Sequence, residues 1–450
     1  MNPHDTMTEI LKTAKKSGVQ SVAAGHRRLN KRMVRFSNNS ITVTNNWLAE
    51  TATVYLVSQR RRAACVVGEQ DPNTLRTAVE ELARTMKLTP EGDTDFTFPK
   101  GPFNYHPIDG TYDEKLCQAE EELIDAVETG INAANKEGAL RVSGVVTTEA
   151  MDRHVLTSEG AEGSDRNTEI AMNIRAFASD DASGQGISVA TNLGEFNPEE
   201  AGRTAGRIAR MALNPQQGQP GKYKVIFGPS IFANLLTRVG DSASAYFLDL
   251  GLSFFQGMLD QQVASDVFTL NDNGRLPRSP GSTSLDDEGY PTQENCLVKN
   301  GRLLTYLHNS YTAAKQNAPL TGSAIFSAGI GGMAPDAHNL ILDPGQSSLD
   351  DLIDAAHDGL YITNNWYTRF QNYRTGDFST IIRDGAFRIV NGKIAAPLKG
   401  LRLSDNMIRI IQSTKAMTRE RHWIKWWEVN TPTLTPYALT EGVGITTAKK

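Results

Sequence analysis

The sequence predicts an α+β fold: N-terminal helix and antiparallel-sheet domains followed by a mainly antiparallel β domain. Helical stripes and short hairpins follow one another without the strand–helix–strand alternation that a parallel sheet requires. Two stretches rich in Pro, Gly and polar residues, 89–112 and 216–221, have no apolar period and divide the chain. We therefore expect domains at residues 1–112, 113–221 and 222–450.

The first block is expected to begin with a helix and continue as an antiparallel sheet. Its first apolar residues recur at helical spacing and not as the continuous run of a signal peptide: Met7, Ile10, Leu11 and Ala14. Asn38-Asn39 lies between two apolar runs and predicts a hairpin turn, because asparagine tolerates positive φ. A second helix should begin after Asp71, which can cap it, with Pro72 at its first position.

The second and third blocks continue the mixture of helices and hairpins. A helix is expected over 114–136, followed by strands near 140–146 and 171–178 and by a helix that Asn197 caps. In the third block, an apolar strand at 223–227 leads into a helix. The pair Asn300-Gly301 between two apolar runs is a strong hairpin signal, because both positions of a type I′ turn need positive φ.

An acidic run precedes that hairpin: Asp286, Asp287 and Glu288, followed by Gly289. Such carboxylates could bind a hard cation such as calcium or magnesium. The run lacks the spacing of a calcium-binding loop and ends at a glycine, so we interpret it as a solvent-exposed turn.

The bulk composition excludes several classes of function. A net charge of −5 disfavours general nucleic-acid or anionic-membrane binding. No apolar run is long enough to span a bilayer. Three cysteines at unrelated positions (65, 117 and 296) indicate free thiols in a reducing compartment, so we expect a cytoplasmic protein.

Several motifs of the third block occur in a recognisable order. They are STSLDDEGYPTQENCLVKNGRLLTYL at 282–307, SYTAAK at 310–315, TGDFS at 375–379, PTL at 432–434 and GVGIT at 442–446. In this order they resemble the third domain of the TldD/PmbA family (the modulator of DNA gyrase family). The resemblance implies a relationship to TldD-type zinc peptidases, which work beside a zinc-free TldE (PmbA) subunit.

The chain departs from the TldD type where that resemblance implies zinc. TldD-type members carry HExxxH on a helix, and its two histidines and a distant cysteine hold the metal. Here Leu236, Thr237 and Asp241 occupy the three motif positions, and neither leucine nor threonine offers the required chemistry. None of the eight histidines precedes a glutamate, and no cysteine follows Cys296. We expect a TldE/PmbA-type chain without metal or cofactor, with zinc in its partner only.

Five residues near these motifs are candidates for contacting a substrate: Arg238, His308, Gly376, Asp377 and Phe378. A glycine allows close approach of the backbone, and an aspartate can hold a loop. For the histidine and the Gly-Asp-Phe segment, a purely structural role remains an open alternative.

The resemblance implies the zinc-free subunit of a TldD/TldE-type metallopeptidase, beside an HExxxH-bearing partner. It would bind unfolded peptides, and strand addition would suit a hairpin-rich domain. An alternative is a homodimeric peptide-binding or scaffold protein without peptidase activity. A third hypothesis is a hydrolase with a different active site. The sequence contains no GxSxG nucleophile motif that would support it.

Overall fold

The computed structural model describes residues 1–69 and 71–447, apart from the side chain of residue 328. The first block contains two helices and three long strands. They are α1 (Pro3–Lys16), β1 (Ser21–Ser37), β2 (Ser40–Ser58), β3 (Arg61–Val67) and α2 (Pro72–Met86).

Local sequence signals explain the ends of these elements. Asn38 and Asn39 form the β1–β2 turn with φ of 52° and 63°, which confirms the predicted hairpin. The Asp71 side chain accepts a hydrogen bond from the Asn73 N–H at 2.9 Å, and α2 begins with Pro72, as predicted.

The second block has the same construction. It contains α3 (Glu121–Lys136), β4 (Arg141–Thr157), β5 (Glu162–Ser179), β6 (Ala182–Ala190) and α4 (Pro198–Met211). As expected, Asn197 caps α4 by accepting a hydrogen bond from the Glu200 N–H at 2.9 Å.

One antiparallel sheet joins the two blocks. Its strand order is β3-β2-β1-β4-β5-β6, and β1 pairs with β4 along most of its length, with His26 opposite His154. One apolar cluster fills the space under α1 and α2, and a second lies under α3 and α4. The first two predicted domains therefore share a sheet, and the boundary at residue 112 lies in the segment that links β3 to β4.

The third block is built on a second, larger sheet. Its elements are β7 (Gln216–Gln217), β8 (Gly221–Phe227), α5 (Pro229–Ala243), α6 (Ala245–Asp249), β9 (Leu270–Asn273), β10 (Glu294–Lys299), β11 (Arg302–Leu303), α7 (Ser310–Gln316), β12 (Ala324–Ser327), β13 (Gly332–Pro335), β14 (Leu340–Leu342), α8 (Leu349–Ala356), β15 (Gly359–Asn372), β16 (Asp377–Val390), β17 (Lys393–Lys399), β18 (Leu401–Asn406), α9 (Met407–Gln412), β19 (Thr414–Trp426) and β20 (Val429–Thr447).

This sheet is mainly antiparallel, which confirms the predicted α+β class. Its main order is β11-β10-β9-β14-β20-β8-β15-β16-β17-β7, and β8–β15, β14–β20 and β17–β7 are its parallel pairs in the described residues. The β10–β11 turn has φ of 47° at Asn300 and 81° at Gly301, as its sequence predicts. Helix α5 packs into the apolar core of this block. In residues 1–69 and 71–447, no helix is long and apolar enough to cross a bilayer.

Candidate functional site

Helix α5 carries the three positions at which zinc chemistry would be expected. Leu236 is fully buried in the apolar core of the third block. The Thr237 hydroxyl donates a hydrogen bond to the Ala233 carbonyl oxygen at 3.0 Å, one turn back along the same helix. Nowhere in the described part of the chain do three or more His, Cys, Asp or Glu side chains lie where they could hold a metal ion together.

The third motif position, Asp241, is paired within the helix. Its carboxylate accepts a hydrogen bond from Arg238 Nη1 at 3.0 Å, and both side chains are partly exposed. Burial raises the pKa of Asp241, while the charge and hydrogen bond of Arg238 lower it. Two of the predicted site residues therefore lie together, as a partly exposed ion pair on α5.

A residue that the sequence analysis did not single out interacts electrostatically with Asp241. Asp336, just after β13, is open to solvent, but the protein around it desolvates its carboxyl group. This desolvation and the negative charges of Asp241 and Asp272 raise the pKa of Asp336 to about 7. Asp336 follows Pro335, whose carbonyl oxygen accepts a hydrogen bond from Ser244 Oγ at the end of α5. No local pattern marks Asp336 in the sequence. We refer to Arg238, Asp241 and Asp336 together as the α5 cluster.

The preceding turn of α5 anchors a buried polar network. Asn234 Nδ2 donates to the Glu428 carbonyl oxygen at 2.8 Å, and Asn234 Oδ1 accepts from Thr368 Oγ1 at 2.6 Å and Asn365 Nδ2 at 3.0 Å. The carboxylate of Glu428 is buried and accepts from the Tyr367 N–H at 3.1 Å. Positions 234, 238 and 241 follow helical spacing, so one face of α5 is polar over its length.

The acidic run before β10 is buried, so its interpretation as an exposed turn was wrong. Asp286, Asp287 and Glu288 are all inaccessible to solvent. The cause is the six-stranded sheet: Arg27 of β1 and Arg153 of β4 both donate to the Asp287 carboxylate, the latter at 3.1 Å. These two guanidinium groups and the Phe326 N–H hold the pKa of Asp287 down at about 2, against the opposing effect of burial.

Glu288 has a different environment from its neighbour. Its Oε2 accepts a hydrogen bond from the Ser310 N–H at 2.8 Å, whereas its Oε1 is buried without a partner. Burial raises the pKa of Glu288 to about 7, and the charge of Asp287 adds to this effect. Burial also raises the pKa of Asp286, whose charge would be close to that of Glu288. The turn therefore joins the two sheets, and its carboxyl groups differ in pKa. The pKa of Asp287 is lowered, whereas those of Asp286 and Glu288 are raised.

A cavity of about 210 Å³ lies beside this turn, between the two sheets, and its lining mixes apolar and charged residues. Its lining combines Arg27, Arg153 and Asp287 with a buried pair in which Lys425 donates to Glu169 at 2.6 Å and 2.7 Å. Glu149 also lines this cavity and is paired with Lys31 outside it. The charged lining residues are therefore suited to a ligand that carries polar groups.

The remaining predicted site residues are not part of the α5 cluster, although Leu307, next to His308, bonds to the backbone at the end of α5. His308 is buried, its Nδ1 lies 3.3 Å from Thr312 Oγ1, and burial lowers the pKa of the imidazole to about 4.

The Gly-Asp-Phe segment forms the turn into β16. Gly376 adopts a φ of 81°, and Phe378 is buried in the core. Asp377 accepts hydrogen bonds from Thr375 and Asn406 at 2.6 Å and 2.9 Å, which lower its pKa. These contacts account for the three residues structurally, and a substrate contact at any of them stays a prediction.

Two family models match this chain over most of its length. The PmbA/TldA metallopeptidase central domain matches residues 105–213, and the PmbA/TldA metallopeptidase C-terminal domain matches residues 220–447. Among curated proteins, a metalloprotease TldD homolog from Buchnera aphidicola (subsp. Acyrthosiphon pisum) is 29% identical over 219 residues, which are 48% of this chain and 45% of that protein. A metalloprotease PmbA homolog from Haemophilus influenzae is 28% identical over 222 residues, 49% of this chain and 46% of that protein. The match thus spans about half the length of these relatives.

Two solved structures share the fold along nearly the entire chain. TldE from Thermococcus kodakarensis superposes with a TM-score of 0.87 at 21% identity, covering 98% of this chain and 100% of that one. A protein from Thermotoga maritima, described as a modulator of a DNA gyrase, superposes with a TM-score of 0.86 at 22% identity and the same coverage.

Proposed function

This chain belongs to the PmbA/TldD metallopeptidase family, and from that premise we propose that it is the zinc-free subunit of a two-chain metallopeptidase. The observation that carries the proposal is the state of α5. At the motif positions, Leu236 is buried in the core and Thr237 is bonded to its own helix, so neither offers a ligand or a general base. Asp241 alone cannot hold zinc, and its carboxylate is paired with Arg238.

In this proposal, zinc and the hydrolytic step belong to an HExxxH-bearing relative. The chain described here closes the substrate chamber and helps to hold an unfolded peptide in extended form. Main-chain hydrogen bonds give such binding affinity with little demand on the peptide sequence. The α5 cluster supplies partly exposed polar groups at the helix where the related chemistry would occur.

The decisive test is cleavage of an unstructured peptide followed by mass spectrometry. This chain alone, the HExxxH relative alone and the mixture of both are each assayed with and without a chelator. We expect chelator-sensitive cleavage with the mixture and none with this chain alone, whose zinc content should be far below one per chain. Chelator-sensitive cleavage by this chain alone, with about one zinc per chain, would contradict the proposal.

A substitution in the α5 cluster tests the peptide-binding part of the proposal separately. In the mixture, Arg238→Ala should raise KM for the peptide while the zinc content of the relative stays unchanged, because a peptide contact is lost and no metal ligand is touched. Arg60→Ala is the matched control, since that arginine lies in the exposed β2–β3 turn. An unchanged KM for Arg238→Ala would exclude Arg238 of the α5 cluster as a peptide contact.

A further inference from the structure

The outer edge of β2 is bare over a long stretch. β1 covers the inner edge of β2 from residue 40 to residue 57, but β3 pairs with β2 only at residues 52–58. Residues 40–51 therefore have no strand partner on their outer side among the residues that the structure describes. At about 3.4 Å per residue, this edge is about 40 Å long. Its free N–H and C=O groups are a template for another strand.

The side chains of this edge do not protect it. Four large apolar side chains are exposed: Ile41 (38%), Val43 (42%), Trp47 (43%) and Leu48 (66%). Natural edge strands usually carry proline, lysine or other charged residues, which prevent pairing with another chain. Residues 40–51 contain no lysine, arginine or proline. The one charged residue, Glu50, is engaged by His26 at 2.9 Å.

The order of residues along the edge is complementary to itself. If two copies of the strand run antiparallel and meet at Asn45, Val43 of each copy lies opposite Trp47 of the other. In the same register Ile41 faces Ala49, and the charged Glu50 faces an uncharged serine. Apolar cross-strand pairs stabilise a sheet, and no like charges are placed opposite one another.

We propose that the outer edge of β2 pairs with the same edge of a second copy of this chain, about a two-fold axis at Asn45. The two six-stranded sheets then form one continuous sheet across the dimer. Because the contact is isologous, one patch on each copy is sufficient.

A groove beside the edge fits this arrangement. It has a volume of about 350 Å³ and is lined by Thr44 and Asn46 of β2 and by Leu123 and Ile124 of α3, with Ile124 40% exposed. Register places Leu48 on the same side of the sheet as Thr44. The strand of the second copy, with its own Leu48 on that side, therefore runs alongside the groove. This surface is separate from the α5 cluster, so the inference goes beyond the proposed function and does not depend on it.

Site-directed crosslinking tests both the occupant and the register. Asn45→Cys should crosslink to itself with a short bismaleimide, since the two thiols meet at the two-fold axis. Ala49→Cys is the matched control on the same strand, because its two copies would lie about 27 Å apart. The unsubstituted chain reports any background from its native cysteines. Equal crosslinking of both variants would overturn the proposal. So would a result in which the Asn45→Cys variant crosslinks to an HExxxH relative and not to itself.

Charge at the axis supplies a second, independent test by analytical ultracentrifugation. We expect the unsubstituted chain to be dimeric. Asn45→Lys and Asn45→Asp should each weaken the dimer at least tenfold, because like charges then face each other. Mixing the two variants should restore association to the level of the unsubstituted chain or above. A monomeric unsubstituted chain, or a mixture no more associated than its components, would overturn the proposal. The peptidase assay of the mixture with the relative should not respond to Asn45→Lys, so failure here is distinguishable from failure of the proposed function.

Discussion

Glu288→Gln should make folding stability less dependent on pH, because the native Glu288 carboxyl group resists ionisation. The side chain is fully buried, one oxygen accepts from Ser310, and the other has no partner. Glutamine keeps the acceptor and the shape but cannot ionise. The effect of the substitution should therefore change with pH and not be a constant offset.

The magnitude follows from the pKa of about 7, compared with the ordinary value of 4.5. This difference corresponds to roughly 3 kcal/mol of unfolding free energy. Because the folded-state pKa is raised, the stabilisation due to the protonated acid is complete below pH 4.5. It is lost as the pH rises towards 7, where the folded protein must also ionise the buried group. Relative to the unsubstituted chain, the glutamine variant should therefore gain up to roughly 3 kcal/mol between pH 4.5 and pH 8.

Urea unfolding, followed by tryptophan fluorescence at pH 4.5, 5.5, 6.5, 7.5 and 8, measures this gain. The difference between the two proteins removes contributions from groups that do not interact with Glu288. It includes the change at Asp286, whose pKa the Glu288 charge helps to raise. Glu420→Gln, at an exposed side chain, controls for the chemical change alone. If the stabilities of the unsubstituted chain and Glu288→Gln stay parallel across this range, the reasoning about the buried carboxyl group is refuted.

Three further outcomes are expected. Arg153→Leu should lower the unfolding free energy by about 3–5 kcal/mol because it leaves a buried carboxylate with one partner fewer, whereas Arg60→Leu, which removes an exposed pair, should cost less than about 1 kcal/mol. Urea unfolding of both variants measures the contrast, and similar losses would contradict it. Asp241→Asn should lower the pKa of Asp336, measured by carboxyl NMR titration, because a nearby negative charge is removed; an unchanged or higher value would contradict the coupling. The triple variant Leu236→His, Thr237→Glu and Asp241→His, which restores the motif, should not be a peptidase, because the first motif position lies in the apolar core. Robust chelator-sensitive cleavage by this variant would contradict the expectation.

Local signals in the sequence were sufficient for the turns and caps. Asn300-Gly301 and Asn38-Asn39 form the predicted hairpin turns because positive φ is a property of the residues themselves. Asp71 caps its helix for the same reason, since both donor and acceptor lie within a few residues.

The acidic run shows where local reasoning ends. Turn propensity correctly indicates a turn at 286–289, but the burial of Asp287 is caused by Arg27 and Arg153, which come from strands far away in sequence. The same holds for Asp336 in the α5 cluster, whose pKa is raised by desolvation and by carboxyl groups on other elements. By contrast, the sequence alone shows that position 236 offers no zinc ligand, because a leucine side chain cannot bind a metal.

The pairing of β1 with β4 has a consequence for synthesis of the protein. β1 ends at Ser37, but its partner β4 is complete only at Thr157. At typical rates of 5–20 residues per second, the ribosome needs on the order of ten seconds to add the intervening segment. During that interval the nascent hairpin exposes one edge of β1 and one of β2, both open to unwanted strand pairing. Chaperone dependence of this chain should therefore be greatest before β4 emerges from the ribosome.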